Sequence, residues 1–186
     1  MAYEHQTAAS ERIASFRRHL RDETSDLQIV RRHITFGSAY AIDEDRLHDL
    51  KTTIADHWSV QHSEIYLVGS AKLGFSIAPA KRFRHFNNNS DVDVAIVSHQ
   101  LYSKLWHELH EFMNAGALWA KRDRFEQYAA WGWLRPDKFP NGTPATRRWW
   151  DFFEGLKKSH LGGRYPVRAA LYHDIKFLEK YQASAV

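Results

Sequence analysis

The sequence predicts an α/β (α+β) fold, a small mixed β-sheet flanked by helices, within one domain that spans residues 1–186. Two short runs, Ile65–Val68 and residues 91–98, have the apolar and β-branched composition of buried strands. Apolar residues recur at helical spacing before the first run and after the second. Two buried strands set among helical segments favour a mixed sheet with helices packed against it.

The composition is typical of a globular protein, with 44% hydrophobic and 26% charged residues. No apolar run approaches the roughly 18 residues of a membrane helix, and residues 1–16 lack a secretion signal. The absence of cysteine excludes disulfides and thiolate metal sites. We therefore expect a cytoplasmic protein without a membrane partner. The net charge of +4 favours polyanionic partners, although many basic proteins bind no anion.

Three helices are predicted in the N-terminal part of the chain, residues 8–60. The first covers residues 8–22, where apolar side chains recur every three or four positions, and residues 26–34 form the second. The third begins at Asp43, where three consecutive carboxylates would meet the positive end of the helix dipole. Its apolar face continues to Trp58.

The central part of the chain, residues 64–98, contains the two predicted strands. Ile65–Val68 ends at a glycine, and a short helix is expected over residues 71–77. Residues 79–89 form a polar, basic loop, and the second strand covers residues 91–98.

In the C-terminal part, three helices are predicted, over residues 101–113, 117–133 and 144–162. A last strand over residues 165–172 and a closing helix over residues 174–181 follow them. Thr143 followed by Pro144 is typical of a helix start, since proline suits the first helical position. Asp174 is expected to cap the closing helix.

Two carboxylates stand at the start of the second strand. Asp91 and Asp93 are one residue apart, so in a strand both side chains point to the same face. Carboxylates held together repel each other unless a cation or a proton lies between them, and oxygen ligands suit Mg²⁺ or Mn²⁺. The sequence therefore predicts a metal site at Asp91 and Asp93; the alternative is a solvated strand start.

A phosphate site is predicted at the turn that follows the first strand. Gly69 allows the backbone to approach a phosphate closely, and the Ser70 hydroxyl can donate a hydrogen bond to it. Lys72 lies in the same turn and adds positive charge. The alternative is an ordinary turn that ends the strand.

The segments VGSAKLG and SDVDVAIV, in this order, resemble the polymerase-beta-like nucleotidyltransferase superfamily, and the chain looks like a small stand-alone bacterial member. The resemblance implies a nucleotidyltransferase fold, with Gly69 and Ser70 on the triphosphate and with Asp91 and Asp93 holding two divalent cations, Mg²⁺ or Mn²⁺. It implies transfer of a nucleotidyl group from a nucleoside triphosphate to a hydroxyl of nucleic acid, of a nucleotide or of a protein. Bacterial antiphage or toxin–antitoxin defence is the setting it suggests.

Two features depart from this pattern. The loop between the motifs is long and basic, and Arg82 and Arg84 are expected to bind a phosphate or a nucleic-acid backbone unless the loop is merely solvated. Members of the superfamily usually carry a third carboxylate on a later strand, but residues 169–172 offer none. A second hypothesis is therefore a catalytically inactive subunit that binds nucleotide or nucleic acid and regulates a partner, for example as an antitoxin. A third is an interaction subunit built on the aromatic residues between positions 119 and 153.

Overall fold

The computed structural model describes residues 2–22, 25–156 and 159–186. The helices within these residues are α1 (Ala2–Arg21), α2 (Asp26–Val30), α3 (Glu44–Trp58), α4 (Gly69–Leu73), α5 (His99–Asn114), α6 (Arg122–Ala130), α7 (Pro144–Leu156) and α8 (Ile175–Ala183). The strands are β1 (Ile65–Val68), β2 (Val92–Val97), β3 (Trp133–Leu134) and β4 (Val167–Tyr172). A π-helical segment, Arg31–Thr35, continues α2.

The four strands form one sheet in the order β1-β2-β4-β3. The outer pairs are antiparallel, whereas the central strands β2 and β4 run parallel. A parallel pair needs a long crossover connection, and the chain between β2 and β4 contains α5, α6 and α7. The predicted fold class, a small mixed sheet flanked by helices, is confirmed.

Helices cover both faces of the sheet. On one face α3, α5 and α7 pack against strand residues such as Leu67, Val94 and Leu171. On the other face α1, α2 and α8 pack against the alternating positions, which include Ala95 and Tyr172. Because side chains alternate along a strand, Asp91 and Asp93 belong to the α8 face.

The predicted helix over residues 117–133 is shorter than expected. It extends only over Arg122–Ala130, and Trp133 pairs with Tyr172 in β3 instead of ending a helix. The physical reason for the early end lies at Gly132, whose φ of +69° is left-handed and cannot continue a right-handed helix. A Cβ at this position would lie 2.5 Å from the ring of Phe177, so the position requires glycine.

The other predicted elements differ mainly at their ends. The short helix predicted over residues 71–77 begins at Gly69 and ends at Leu73, where Gly74 takes a left-handed conformation. The helix predicted to reach residue 162 ends at Leu156 among the described residues. Residues 157 and 158 are not among the residues that the structure describes. None of the helices among the described residues has the length and apolar character needed to cross a membrane.

Candidate functional site

The Gly-Ser turn and the acidic strand contact each other. β1 pairs with β2 so that Val68 faces Asp93, and this pairing brings the residue after Val68 against the same carboxylate. Gly69 has a φ of +64°, and a Cβ added there would lie 2.7 Å from Oδ2 of Asp93. Only glycine fits this contact without displacing the carboxylate.

Asp91 and Asp93 lie at the same end of β2, and the neighbouring strand places an arginine beside them. Arg168 is the register partner of Asp93 in β4. Its Nε lies 2.9 Å from Oδ2 of Asp91. The expected position of a third carboxylate, residues 169–172, lies just after the residue that faces Asp93, and that residue is an arginine.

The two carboxylates of β2 differ in their surroundings. Burial, followed by the nearby charge of Asp91, raises the pKa of Asp93 to about 6, against the opposing effects of Arg168 and Lys81. Asp93 therefore resists ionisation. A bound cation would relieve both the burial cost and the repulsion, so the pair fits Mg²⁺ or Mn²⁺ in its donor chemistry.

Two carboxylates are an incomplete ligand set for either ion. The residues that the structure describes contain no group of three or more histidine, aspartate or glutamate side chains that could hold a metal. Mg²⁺ commonly keeps several waters and takes further ligands from substrate phosphates. Asp91 and Asp93 fit a cation that arrives with a polyphosphate better than one caged by protein.

The site opens into a cleft of about 480 Å³, a volume suited to a small ligand such as a nucleotide. Gly69, Ser70, Asp91 and Asp93 all line it, so the structure brings both predicted motifs together. The basic side chains along its walls are Lys81, Arg84, Arg135 and Arg168. The acidic end of the cleft is thus surrounded by cations, an arrangement that suits a ligand combining phosphates with a metal ion.

The basic loop contributes one of its two predicted arginines to the cleft. Arg84 lines the cleft, and its backbone is fixed because Ser76 donates a hydrogen bond to the Arg84 carbonyl. Arg82 is directed elsewhere: its guanidinium donates to the Val186 carbonyl and lies over the ring of Phe83. The structure therefore joins Arg84, but not Arg82, to the other predicted site residues.

Lys72 points away from the cleft. It is 6% exposed, and its Nζ donates a hydrogen bond to the Gly37 carbonyl. Burial, followed by the charges of Arg12 and Lys51, lowers its pKa to about 8. Residues two positions apart on a helix face different sides, so α4 turns Lys72 away from Ser70. Its observed contacts hold α4 against the segment at Gly37.

The predicted aromatic residues divide between core and cleft. Trp149 is 1% exposed and packs with Phe153 in the core. Trp150 is partly exposed and lines the cleft. It also borders a second cavity of about 420 Å³, where Trp119 is fixed by a hydrogen bond from its Nε1 to the Lys138 carbonyl. Trp149 and Phe153 also border the cleft, but both are buried, and Trp150 is the partly exposed side chain among the three.

The cleft also contains residues that the sequence analysis did not select. Asp137 accepts hydrogen bonds from Arg135 at 2.6 Å and from Lys138 at 2.7 Å. Burial alone would raise the pKa of Asp137, but these two bonds outweigh it and hold the pKa below its ordinary value. Arg168 is the other omission. Its place beside the acidic pair follows from the register in which β4 pairs with β2.

Comparisons of the chain with models of protein families, with curated proteins and with solved structures find no match.

Proposed function

We propose that the cleft binds a nucleoside triphosphate together with Mg²⁺ or Mn²⁺ and transfers its nucleotidyl group to a hydroxyl acceptor. The observation that carries this proposal is the contact between Gly69 and the Asp93 carboxylate at the end of a nucleotide-sized cleft. Asp91 and Asp93 would hold the cation, and the adjoining Gly69–Ser70 turn would bind a phosphate of the nucleotide. The motif resemblance to polymerase-beta-like nucleotidyltransferases agrees with this arrangement.

Residues around the contact have distinct roles in binding the triphosphate. The Ser70 hydroxyl donates to a phosphate oxygen, and Gly69 lets the phosphate approach the backbone closely. Arg84 and Lys81 line the same cleft and offset the remaining phosphate charge. Asp91 and Asp93 would hold the cation, which would supply positive charge to the phosphate oxygens.

The transfer step forms one bond and breaks one. The acceptor hydroxyl oxygen bonds to the α-phosphorus, while the bond from the α-phosphorus to the oxygen that bridges it to the β-phosphorus breaks. Pyrophosphate leaves with that oxygen, and the hydroxyl proton passes to water. The protein orients the acceptor in line with the departing group and stabilises the charge that develops on the phosphates.

The acceptor is a hydroxyl of nucleic acid, of another nucleotide or of a protein side chain. The basic walls of the cleft and the exposed edge of Trp150 favour nucleic acid, because cations contact its backbone and an indole can stack on an unpaired base.

A second candidate function is nucleotide binding without turnover. The observation in its favour is the ion pair between Arg168 and Asp91, which places a positive charge beside the acidic pair. Such a subunit would regulate a partner protein by its nucleotide-bound state.

The test supplies each labelled nucleoside triphosphate with Mg²⁺ or Mn²⁺, alone and with RNA, DNA or protein acceptors. We expect labelled product from the wild-type chain and none from Asp91→Asn or Asp93→Asn. Asp151→Asn is the matched control, because Asp151 is exposed on α7 outside the cleft lining. Triphosphate binding without product would favour the second candidate. Absence of metal-dependent triphosphate binding in the wild-type chain would refute both.

A further inference from the structure

Arg168 already contacts one of the two carboxylates that would hold a cation. Its Nε lies 2.9 Å from Oδ2 of Asp91, and its backbone faces Asp93 across the parallel pair β2–β4. Because Arg168 lies within the six-residue parallel pairing of β4 with β2, the position of its Cα is fixed by the sheet. A guanidinium at this place supplies positive charge to the acidic pair without any bound ion.

The charges around the pair set a limit on how many cations it can hold. Asp91 and Asp93 together carry two negative charges when ionised, and Arg168 returns one positive charge. Lys81 lies close enough to Asp93 to favour its ionised form. One divalent ion therefore reverses the sign of the local charge, and a second would meet strong repulsion before any phosphate arrived.

Arg168 can also leave Asp91. Its side chain is 61% exposed, and that of Asp91 is 35% exposed, so their ion pair borders the cleft and is open to solvent. Exposed ion pairs contribute little to stability, and they exchange partners readily when a stronger one is present. A triphosphate is such a partner, because its oxygens match the planar guanidinium donors of arginine.

We infer that the cleft is a one-cation site, in which the Arg168 guanidinium provides the second positive charge and moves from Asp91 to the triphosphate when the nucleotide binds. This inference rests on the proposed function. It assigns Arg168 two opposite effects. In the empty site it competes with the cation for Asp91, and in the loaded site it contributes to nucleotide affinity.

The experiment counts bound Mn²⁺ from the loss of the free-ion signal in electron paramagnetic resonance, with and without the α,β-methylene analogue of each nucleoside triphosphate. In wild type we expect one Mn²⁺ per chain. In Arg168→Gln we expect tighter Mn²⁺ binding without nucleotide, by about fivefold, and weaker analogue binding, by about tenfold or more. If Arg168 had a purely structural role, its substitution would weaken the binding of both Mn²⁺ and the analogue. Arg168→Asp, which adds a carboxylate beside the pair, is expected to bind two Mn²⁺.

Arg164→Gln is the matched control, because Arg164 hydrogen-bonds Asn88 and does not line the cleft. It should leave both affinities unchanged, and circular dichroism should show that every variant is folded. Two Mn²⁺ per wild-type chain alongside normal analogue binding would overturn the inference and leave the proposed function intact. Equal weakening of both affinities in Arg168→Gln would also overturn it. A wild-type chain that binds neither Mn²⁺ nor any analogue would refute the proposed function itself.

Discussion

Asp93 and Asp137 line the same cleft, yet their carboxylates are in opposite electrostatic states. Asp137 is held between Arg135 and Lys138, and its pKa lies below the ordinary value. Asp93 shares the charge of Arg168 with Asp91, and its pKa still rises to about 6 although Lys81 also opposes the rise. Asp137 thus has ionic partners that balance its charge, whereas the charge of the acidic pair is only partly balanced by the protein. Ligand sites are found among carboxylates of the second kind.

The substitution with the largest expected effect on Asp93 is Gly69→Ala. The new Cβ would lie 2.7 Å from the carboxylate at a backbone φ of +64°, so we expect a loss of about 2–4 kcal/mol of unfolding free energy and loss of Mn²⁺ binding. Chemical denaturation and Mn²⁺ titration measure the two effects. Gly116→Ala is the control, since Gly116 has a φ of +80° with open space around it. Retained Mn²⁺ binding in Gly69→Ala would contradict the contact.

Neutralising each acid in turn tests the comparison directly. The pKa of Asp93 is raised in the folded protein. The unfolding free energy therefore falls as the pH rises from about 4 to 6, and it stays lower at higher pH. We therefore expect Asp93→Asn to raise the unfolding free energy at pH 7.5 by about 1–3 kcal/mol, an advantage that disappears below pH 4. Urea denaturation at both pH values measures it.

Asp137→Asn should act in the opposite direction at pH 7.5. The folded pKa of Asp137 is lowered, so its ionised form contributes stability above its unfolded pKa, and that contribution is lost as the pH falls through the lowered value. Its side chain is 41% exposed, so we expect a loss below about 1 kcal/mol. The same sign for both variants at pH 7.5 would remove the distinction between the two acids.

The smallest expected effect distinguishes the two arginines of the basic loop. Arg84 lines the cleft, whereas Arg82 bonds the Val186 carbonyl, so only Arg84→Gln should weaken triphosphate binding, by about three- to tenfold. Isothermal titration with non-hydrolysable analogues measures both, and Arg82→Gln serves as the control. Equal losses in the two variants would indicate that the whole loop contacts the ligand.

Local sequence pattern predicted the elements that build the acidic side of the cleft. The apolar run Ile65–Val68, the glycine after it and the Asp-x-Asp strand were each recognisable from neighbouring residues alone. Strand alternation also predicted that Asp91 and Asp93 share a face. The short strand β3 was not recognisable, because two residues in an aromatic segment carry no periodicity.

Features that depend on register or on helix rotation were beyond the local pattern. Arg168 faces Asp93 only because β4 pairs in parallel with β2 in one register, which the spacing of the two segments does not define. Lys72 follows Ser70 closely in sequence, but α4 begins at Gly69 and rotates the lysine toward Gly37. Proximity along the chain was a poor guide to proximity in the cleft at both positions.

The order of the strands has a consequence for how the protein folds. Arg168 belongs to the last strand, and the chain must close a long crossover before β4 can pair with β2. Until then β2 has an open edge, and its two acids repel each other without an internal counter-charge. Long-range parallel pairing forms late because of its entropic cost, so completion of the sheet and neutralisation of its acidic end are a single event in folding.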